Sequence, residues 1–410
     1  MALICICYLV PVSIGINNYS YALVFEIDFV QLYSMSERKP IQDVNIELGD
    51  DVSRMLYEAS KLTHQNRPGL LVEFHESFSG FRAIPGTILK DIDNLYLNLA
   101  FDGAGTKVEI AERLDDHSAV AHDLFAMVCD DAVVRGAESV AIGSILDVKQ
   151  LDDTEHTRNA IKQLGQGYVE AAKAAGVVVV NGEVAELGDR VGGYGDFNYN
   201  WGATVLWLAH KERILTGHQM RPGDTIVGLA EHGFRSNGIT DVRKAMLAEY
   251  GPQWHDTVVE QLGSLSLGRL VQKPSIIYSR FMSELTGGFD IDKEPKAQVT
   301  GVAHITGGGQ PSKLGRMLEP SGLGITIDNP IDPPKIMLEA QRIRGFSDEK
   351  TYGKWHMGSG MIIATSEPEK VLAEAAKNGV IAKAIGQVTD EPGISIKNRG
   401  MEQHEEWLSF

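Results

Sequence analysis

The stretch Leu95-Tyr-Leu-Asn-Leu-Ala-Phe101 alternates in period two and runs without a break into Asp102-Gly-Ala-Gly-Thr-Lys107. Such alternation marks a strand, so the glycine loop has to lie at a strand end. Downstream, residues 118–135 read as a helix, Val140 to Leu146 as a strand and residues 154–175 as a helix ended by Gly176. Val177–Val180 then reads as a buried strand feeding Asn181-Gly-Glu. This is β-α-β order and predicts an α/β domain. In the helix at 154–175, Asp152 with Glu155 resembles a capping box, and Ala160, Ile161, Leu164, Tyr168 and Ala171 supply an apolar stripe. An amphipathic helix is expected within 41–66, where Val52, Met55, Leu56, Ala59 and Leu62 recur at helical spacing before Arg67-Pro68-Gly69. Gly188–Asn200 reads as a polar loop and Trp201–Ala209 as a further strand.

The turn Arg221-Pro-Gly-Asp224 introduces a new strand, Thr225–Ala230, and a second α/β run, which puts a boundary near Leu215–Arg221. A chain of 410 residues with 43% apolar content suits two domains, 35–215 and 216–400, with 401–410 as a tail. In the second, Ser236-Asn-Gly238 precedes a helix at Ile239–Tyr250 and Thr306-Gly-Gly-Gly309 precedes one at Pro311–Leu318. Residues 251–270 read as a surface excursion. The first 34 residues hold no Lys or Arg, and Pro11, Asn17 and Asn18 interrupt their apolar residues. They fit neither a secretory signal nor a spanning helix of about 20 apolar residues. They are expected to be an upstream translation, with the start at Met35.

The chemistry gathers in three stretches. Gly103 and Gly105 let backbone N–H groups approach phosphate, with Thr106 beside them, and Lys107 supplies a cation. Asp and Glu oxygens suit Mg²⁺, which takes few protein ligands and leans on substrate phosphates. On the helix at 118–135, Asp123 and Asp130 lie about 20° apart in azimuth and Asp131 about 80° further round, giving one acidic edge. Asn181-Gly-Glu-Val-Ala-Glu186 adds Glu183. Ser236, Asn237 and Gly307, Gly308 and Gly309 precede helix N-termini, where exposed N–H groups favour anions. The constellation points to ATP. A net charge of −17 argues against a nucleic-acid partner. With only Cys5, Cys7 and Cys129, neither a disulfide framework nor a Cys-rich zinc site can be built, and a cytoplasmic protein without a membrane partner is expected. Cys129, in an apolar run, reads as a buried structural thiol.

The order of motifs resembles the aminoimidazole ribonucleotide synthetase (phosphoribosylformylglycinamidine cyclo-ligase) family. The resemblance runs from Phe78 to Lys397. The family's Asp-Gly-Val-Gly-Thr-Lys stands as Asp102–Lys107, its Asp-Leu-Val-Ala-Met as Asp123–Met127, and its Gly-Gly-Glu-Thr-Ala-Glu as Asn181–Glu186. Ser236-Asn-Gly238, Ala303–Gly309 and Gly358-Ser-Gly-Met361 follow in order. The resemblance implies an α/β (α+β) two-domain fold, with N-terminal strands contributing to the barrel of a homodimer, a C-terminal α/β domain and an active site between the domains. It implies that ATP phosphorylates the formamide oxygen of the small-molecule substrate formylglycinamidine ribonucleotide, after which the amidine nitrogen closes the imidazole. Asp102, Asp131 and Glu183 would hold Mg²⁺ with Asp123 and Asp130 in support. Lys107 would neutralise the transferring phosphate, His304 would polarise the formyl oxygen or move a proton, and Ser236, Asn237 and Gly307–Gly309 would hold phosphates.

The departures cluster on the substrate side. Arg235 stands where the family has His before Ser-Asn-Gly, and Asp130 where it has Asn, adding a charge to the expected metal edge. The early glycine segment is reduced to Ser79-Gly-Phe81, and Ser144-Ile-Leu-Asp-Val-Lys-Gln150 replaces Asp-Tyr-x-Ala-Thr-Gly-Lys. These leave two alternatives: another phosphorylating enzyme of the superfamily, of selenophosphate synthetase or thiamine monophosphate kinase type, or a non-catalytic nucleotide-binding homologue.

Overall fold

The computed structural model describes residues 46–74, 81–86 and 89–410; the expected extension 1–34, the start at Met35 and residues 75–80 fall outside them. The N-terminal half opens with Ile46–Leu62 (α1) and an antiparallel pair, Val72–Phe74 (β1) with Phe81–Ala83 (β2). Leu95–Gly103 (β3), Val108–Leu114 (α2) and Val120–Val133 (α3) follow, then Glu138–Val148 (β4), Glu155–Ala175 (α4), Val178–Glu186 (β5) and Tyr199–His210 (β6). Among the described residues these strands form a four-stranded sheet in the order β3-β6-β4-β5, with only β4 and β5 parallel.

Helices α3 and α4 cover one face of that sheet. Leu124, Phe125 and Val128 of α3 and Ile161 and Leu164 of α4 pack with Ile142 and Val205, all essentially inaccessible. Each such side chain contributes about 1.5–3 kcal/mol by leaving water. Cys129 lies in the same cluster, and burial pushes its thiol well up, as befits a structural thiol. Helix α4 starts differently from expectation: Thr154, not Asp152, is the cap, its Oγ1 accepting from the Thr157 N–H at 3.1 Å. Its end at Gly176 is as the sequence predicts, with φ +70°. The opposite face carries Leu97, Leu99, Phe101 and, by register, Ile145, all exposed, with Phe101 at 71%.

The C-terminal half contains Thr225–Ala230 (β7), Ile239–Tyr250 (α5), Leu267–Gln272 (α6) and Ser279–Thr286 (α7). Val299–His304 (β8), Gly309–Leu318 (α8), Gly324–Ile327 (β9), Lys335–Arg344 (α9) and Asp348–Tyr352 (α10) come next. Ser359–Thr365 (β10), Pro368–Lys377 (α11), Ala382–Thr389 (β11), Gly393–Lys397 (β12) and Trp407–Ser409 (β13) complete it. The described strands make a seven-stranded sheet ordered β13-β12-β9-β11-β7-β10-β8, antiparallel except for β9 with β12.

Two segments differ from their sequence reading. Residues 251–270 are no excursion: Trp254 and Leu267 are buried in the core because this stretch closes the space between α2, α5 and α9. Residues 401–410 supply the edge strand β13, and the Asp348 carboxylate anchors them by accepting from the backbone N–H groups of Met401, Glu402 and Gln403. Among the described residues, no helix is long and apolar enough to cross a membrane.

Candidate active site

Register decides which of the expected metal ligands can meet. Asp102, Ala203, Ser144 and Gly182 form one row across the four-stranded sheet, and the Ser144 hydroxyl in that row bonds the Tyr168 hydroxyl of α4. Asp102 therefore points to the helix-covered face. Glu183 lies in the next row, with Ile145 and Gly202, and so takes the opposite face, about 14 Å away at three strand spacings. Within one chain Glu183 does not join Asp102 and Asp131. Among the described residues, no group of three or more His, Cys, Asp or Glu is placed to hold a metal ion.

Asp102 and Asp131 do come together: the Asp131 charge acts on the Asp102 carboxyl, and Lys313 acts on both. Burial raises the Asp102 carboxyl, the Gly103 N–H that it accepts at 2.7 Å pulls it back, and the Asp131 charge raises it again. Burial also pushes Asp131 up, but the hydrogen bond from His304 and the charges of Lys313 and Arg235 outweigh it and hold this carboxyl low. Lys313, on the first turns of α8, is the ammonium that faces both carboxylates, in a cavity of about 250 Å³ that it lines with Asp131, Arg135, His304 and Arg316.

The glycine segments and Ser236-Asn237 converge. The Gly105 position lies 3.8 Å from the Ser236 carbonyl oxygen, measured from where a Cβ would stand, and the Gly307 position 3.9 Å from Asn237 Nδ2. Thr106 Oγ1 and Thr240 Oγ1 are 3.4 Å apart. Gly308 and Gly309 have φ +90° and +62°, a turn that suits glycine and opens helix α8. Ser236 Oγ and Asn237 Oδ1 are buried without a hydrogen-bond partner. Orphaned polar atoms of this kind call for a ligand or water between the glycine loops.

Three expected contributors are elsewhere engaged. Lys107 is 2% exposed; its Nζ donates to Asp123 Oδ1 and to the Lys273 carbonyl oxygen, both at 2.7 Å. Asp123 Oδ1 also accepts from the Ser275 N–H at 3.1 Å and hydroxyl at 2.5 Å. Asp130 is fully buried and takes Arg235 Nη2 at 2.9 Å and the Tyr278 N–H at 2.9 Å. Burial pushes its carboxyl up, and Arg235 with the backbone donors works against that. The extra charge of Asp130 thus goes to Arg235 and not to the metal edge. The shared azimuth of Asp123 and Asp130 faces the segment Lys273–Ser279, not a metal.

His304, at the end of edge strand β8, has both ring nitrogens occupied. Nδ1 is 2.6 Å from Asp131 Oδ1, and Nε2 is 2.8 Å from Arg235 Nη2. A guanidinium only donates, so Nε2 accepts and Nδ1 carries the proton towards Asp131. Burial holds the imidazole neutral, with its pKa lowered to about 4. It has no nitrogen left to polarise a formyl oxygen; it orients Asp131. Lys313 and the Lys273–Ser279 segment are members of this charge cluster that the sequence reading missed. Lys313, four residues beyond Gly309 and so on the same helix face, was the available signal.

Residues 87–206 match AIR synthase related protein, N-terminal domain, and residues 221–398 match AIR synthase related protein, C-terminal domain. Phosphoribosylformylglycinamidine cyclo-ligase of Methanocaldococcus jannaschii is 33% identical over 306 residues, 73% of this chain and 80% of that protein. Proteins of the same name from Thermoplasma acidophilum and Pyrococcus furiosus are 30% and 28% identical, over 79% and 85% of this chain and 90% and 94% of theirs. Among solved structures, thiamine-monophosphate kinase from Stenotrophomonas maltophilia shares the fold with a TM-score of 0.55 at 12% identity, over 86% of this chain and 97% of that one. E. coli HypE does so with 0.53 at 16%, over 86% and 96%. From the two matched domains and these relatives, the chain belongs to the AIR synthase (phosphoribosylformylglycinamidine cyclo-ligase) family.

Proposed function

We propose that the protein is an ATP-dependent cyclo-ligase that converts formylglycinamidine ribonucleotide to aminoimidazole ribonucleotide, releasing ADP and phosphate. The observation that carries this reading is the meeting of Gly105, Ser236, Asn237 and Gly307 around two orphaned polar atoms, beside Asp102 and Asp131. The γ-phosphoryl group passes to the formamide oxygen, which then leaves as phosphate when the amidine nitrogen attacks that carbon. Such transfer depends on positioning and charge neutralisation more than on a strong base.

The backbone of Gly105 and Gly307–Gly309 and the side chains of Ser236 and Asn237 hold phosphate oxygens, and the N-terminus of α8 adds its dipole. Lys313 takes the neutralising role expected of Lys107, which is locked in its ion pair. The donor set fits Mg²⁺: Asp102 and Asp131 supply hard oxygens, and two carboxylates with phosphate are the ordinary complement of this ion. When bound, Mg²⁺ neutralises phosphate charge. Asp131 is held by His304 through Oδ1, which leaves Oδ2 for that work.

A homodimer accounts for the open face of the sheet. Leu97, Leu99, Phe101 and Ile145 are apolar and exposed together, and β3 is an unpaired edge among the described strands. Such an edge invites pairing with a second copy. The function is tested by incubating the protein with Mg²⁺-ATP and formylglycinamidine ribonucleotide and following phosphate release and aminoimidazole formation. Phosphate release that ignores the substrate, or ATP binding without turnover, removes the reading.

A further inference from the structure

We infer that Arg235 and Asp130 form one positioning device: Arg235 pins Nε2 of His304 as an acceptor and so holds the ring against Asp131, and Asp130 makes a buried arginine tolerable at that place. Arg235 and Asp130 stand where the motifs that this chain resembles carry His and Asn, and the structure joins them into a single contact. Arg235 is 1% exposed and Asp130 is fully buried. Arg235 Nη1 donates to Glu231 Oε2 at 2.8 Å and to the Ile276 carbonyl oxygen at 2.9 Å. Its Nη2 serves Asp130 Oδ2 at 2.9 Å and His304 Nε2 at 2.8 Å, with the Ala126 carbonyl oxygen at 3.2 Å.

Charge explains why the departures belong together. A histidine in place of Arg235, facing Asp130 and Glu231, would replace the permanent charge that now serves both buried carboxylates with one that can be lost. Conversely, Arg235 facing an asparagine in place of Asp130 would lose the charged partner that shares Nη2 with His304. Removing one member of a buried pair exposes the other to an uncompensated desolvation cost. Geometry explains the consequence. Because a guanidinium has no lone pair to offer, His304 Nε2 is compelled to accept, and the only proton left on the neutral ring points from Nδ1 to Asp131. Asp131 Oδ1 is thereby fixed and its other oxygen is aimed at the opening. Arg235 touches neither substrate nor cofactor; it acts through His304. The backbone at Arg235 has φ +53°, a left-handed conformation that histidine also adopts readily, so the reciprocal exchange strains nothing new.

The role of Asp131 in turnover rests on the cyclo-ligase reading, whereas the lock on His304 does not. The test therefore has two arms on the full chain. In the first, protein labelled with ¹⁵N-histidine is examined by long-range ¹⁵N–¹H spectra, with His304→Gln identifying the resonance. The expected result is a neutral His304 protonated at Nδ1 and accepting at Nε2, and in Arg235→Met a shifted Nε2 resonance as that nitrogen loses its donor, with Asp131 keeping the Nδ1 proton. A proton on Nε2 in the unmodified protein, or an unchanged spectrum in folded Arg235→Met, overturns the inference.

In the second arm, kcat/KM is measured for Asp130→Asn, Arg235→His and the pair together. Each single change lowers it by about tenfold or more, and the double variant recovers to within about threefold of the parent. A double loss equal to the product of the single losses overturns the coupling. Should a single variant fail to fold, the spectrum of the parent and the activity of the double variant still decide. Should the parent make no aminoimidazole product, the functional reading falls and the spectra alone judge the lock.

Discussion

Lys107→Met separates a buried strut from a phosphate contact. The methionine keeps the length of the apolar stem and removes the ammonium, leaving Asp123 and the Lys273 carbonyl without their donor. Removing one partner of a buried ion pair costs about 3–5 kcal/mol. Asp123 retains its two hydrogen bonds from Ser275, which puts the loss near the lower bound, about 3 kcal/mol. With a urea slope of about 3 kcal/mol per molar, the unfolding midpoint falls by about 1 M. Circular dichroism and tryptophan fluorescence are followed in parallel, because a two-domain chain need not unfold in one step. Below the transition, KM for ATP stays within about twofold of the parent, since no contact to phosphate has been removed. An unmoved midpoint together with a KM for ATP raised more than about tenfold would refute the strut and return Lys107 to the nucleotide.

Lys313→Gln produces the complementary pattern: KM for ATP rises about tenfold while the urea midpoint stays put, and equal effects of the Lys107 and Lys313 changes on both quantities contradict the assignment. Asp131→Asn raises the Mg²⁺ concentration needed for half-maximal turnover, seen by titrating the ion at fixed ATP; an unchanged titration removes Asp131 from the cation site. Glu112, buried beneath the Tyr194 and Tyr199 N–H groups, has its carboxyl pushed up by burial to about 7 from an ordinary 4.5. Its contribution to stability is complete below pH 4.5 and is lost as pH rises through about 7, so Glu112→Gln gains about 3 kcal/mol on the parent across that window. Denaturation at several pH values gives the difference, and a flat one contradicts the shift. Leu99→Glu with Phe101→Glu sends the protein from dimer to monomer in analytical ultracentrifugation, and a dimer that survives both places the interface elsewhere.

Local patterns carried far into the structure. The alternation of Leu95–Phe101 gave β3 and located the glycine loop at its end, and Thr225–Ala230 and Ile239–Tyr250 stand at their expected bounds. Ordered motifs brought Gly105, Ser236, Asn237 and Gly307 to one place. What stayed hidden was which charges neutralise one another. Lys107 and Asp123 look like ligands along the sequence because nothing in their spacing shows that they neutralise each other, and Asp130 because its partners, Arg235 and Tyr278, lie over a hundred residues away. Glu183 failed for a different reason: strand order and the parity of the pleat, which send it to the far face from Asp102, are not written in the motif that contains it. The stretch 251–270 was misread because the polar residues around Trp254, Leu267 and Leu270 conceal side chains that fill the core.

The segment Lys273–Tyr278 answers to Lys107, Asp123 and Asp130 from one half of the molecule and to Glu231 and Arg235 from the other. Each partner is specific, so a slip of one residue would strand several charges at once, and the halves have a single permitted alignment. Modularity follows the same line. A chimera that takes its N-terminal half from this chain needs residues 273–278 as well, since they complete the buried electrostatics of that half although they sit beyond the point where the chain leaves it. The unit that evolution or an engineer can exchange is therefore drawn by charge partners and not by the linker at 211–224.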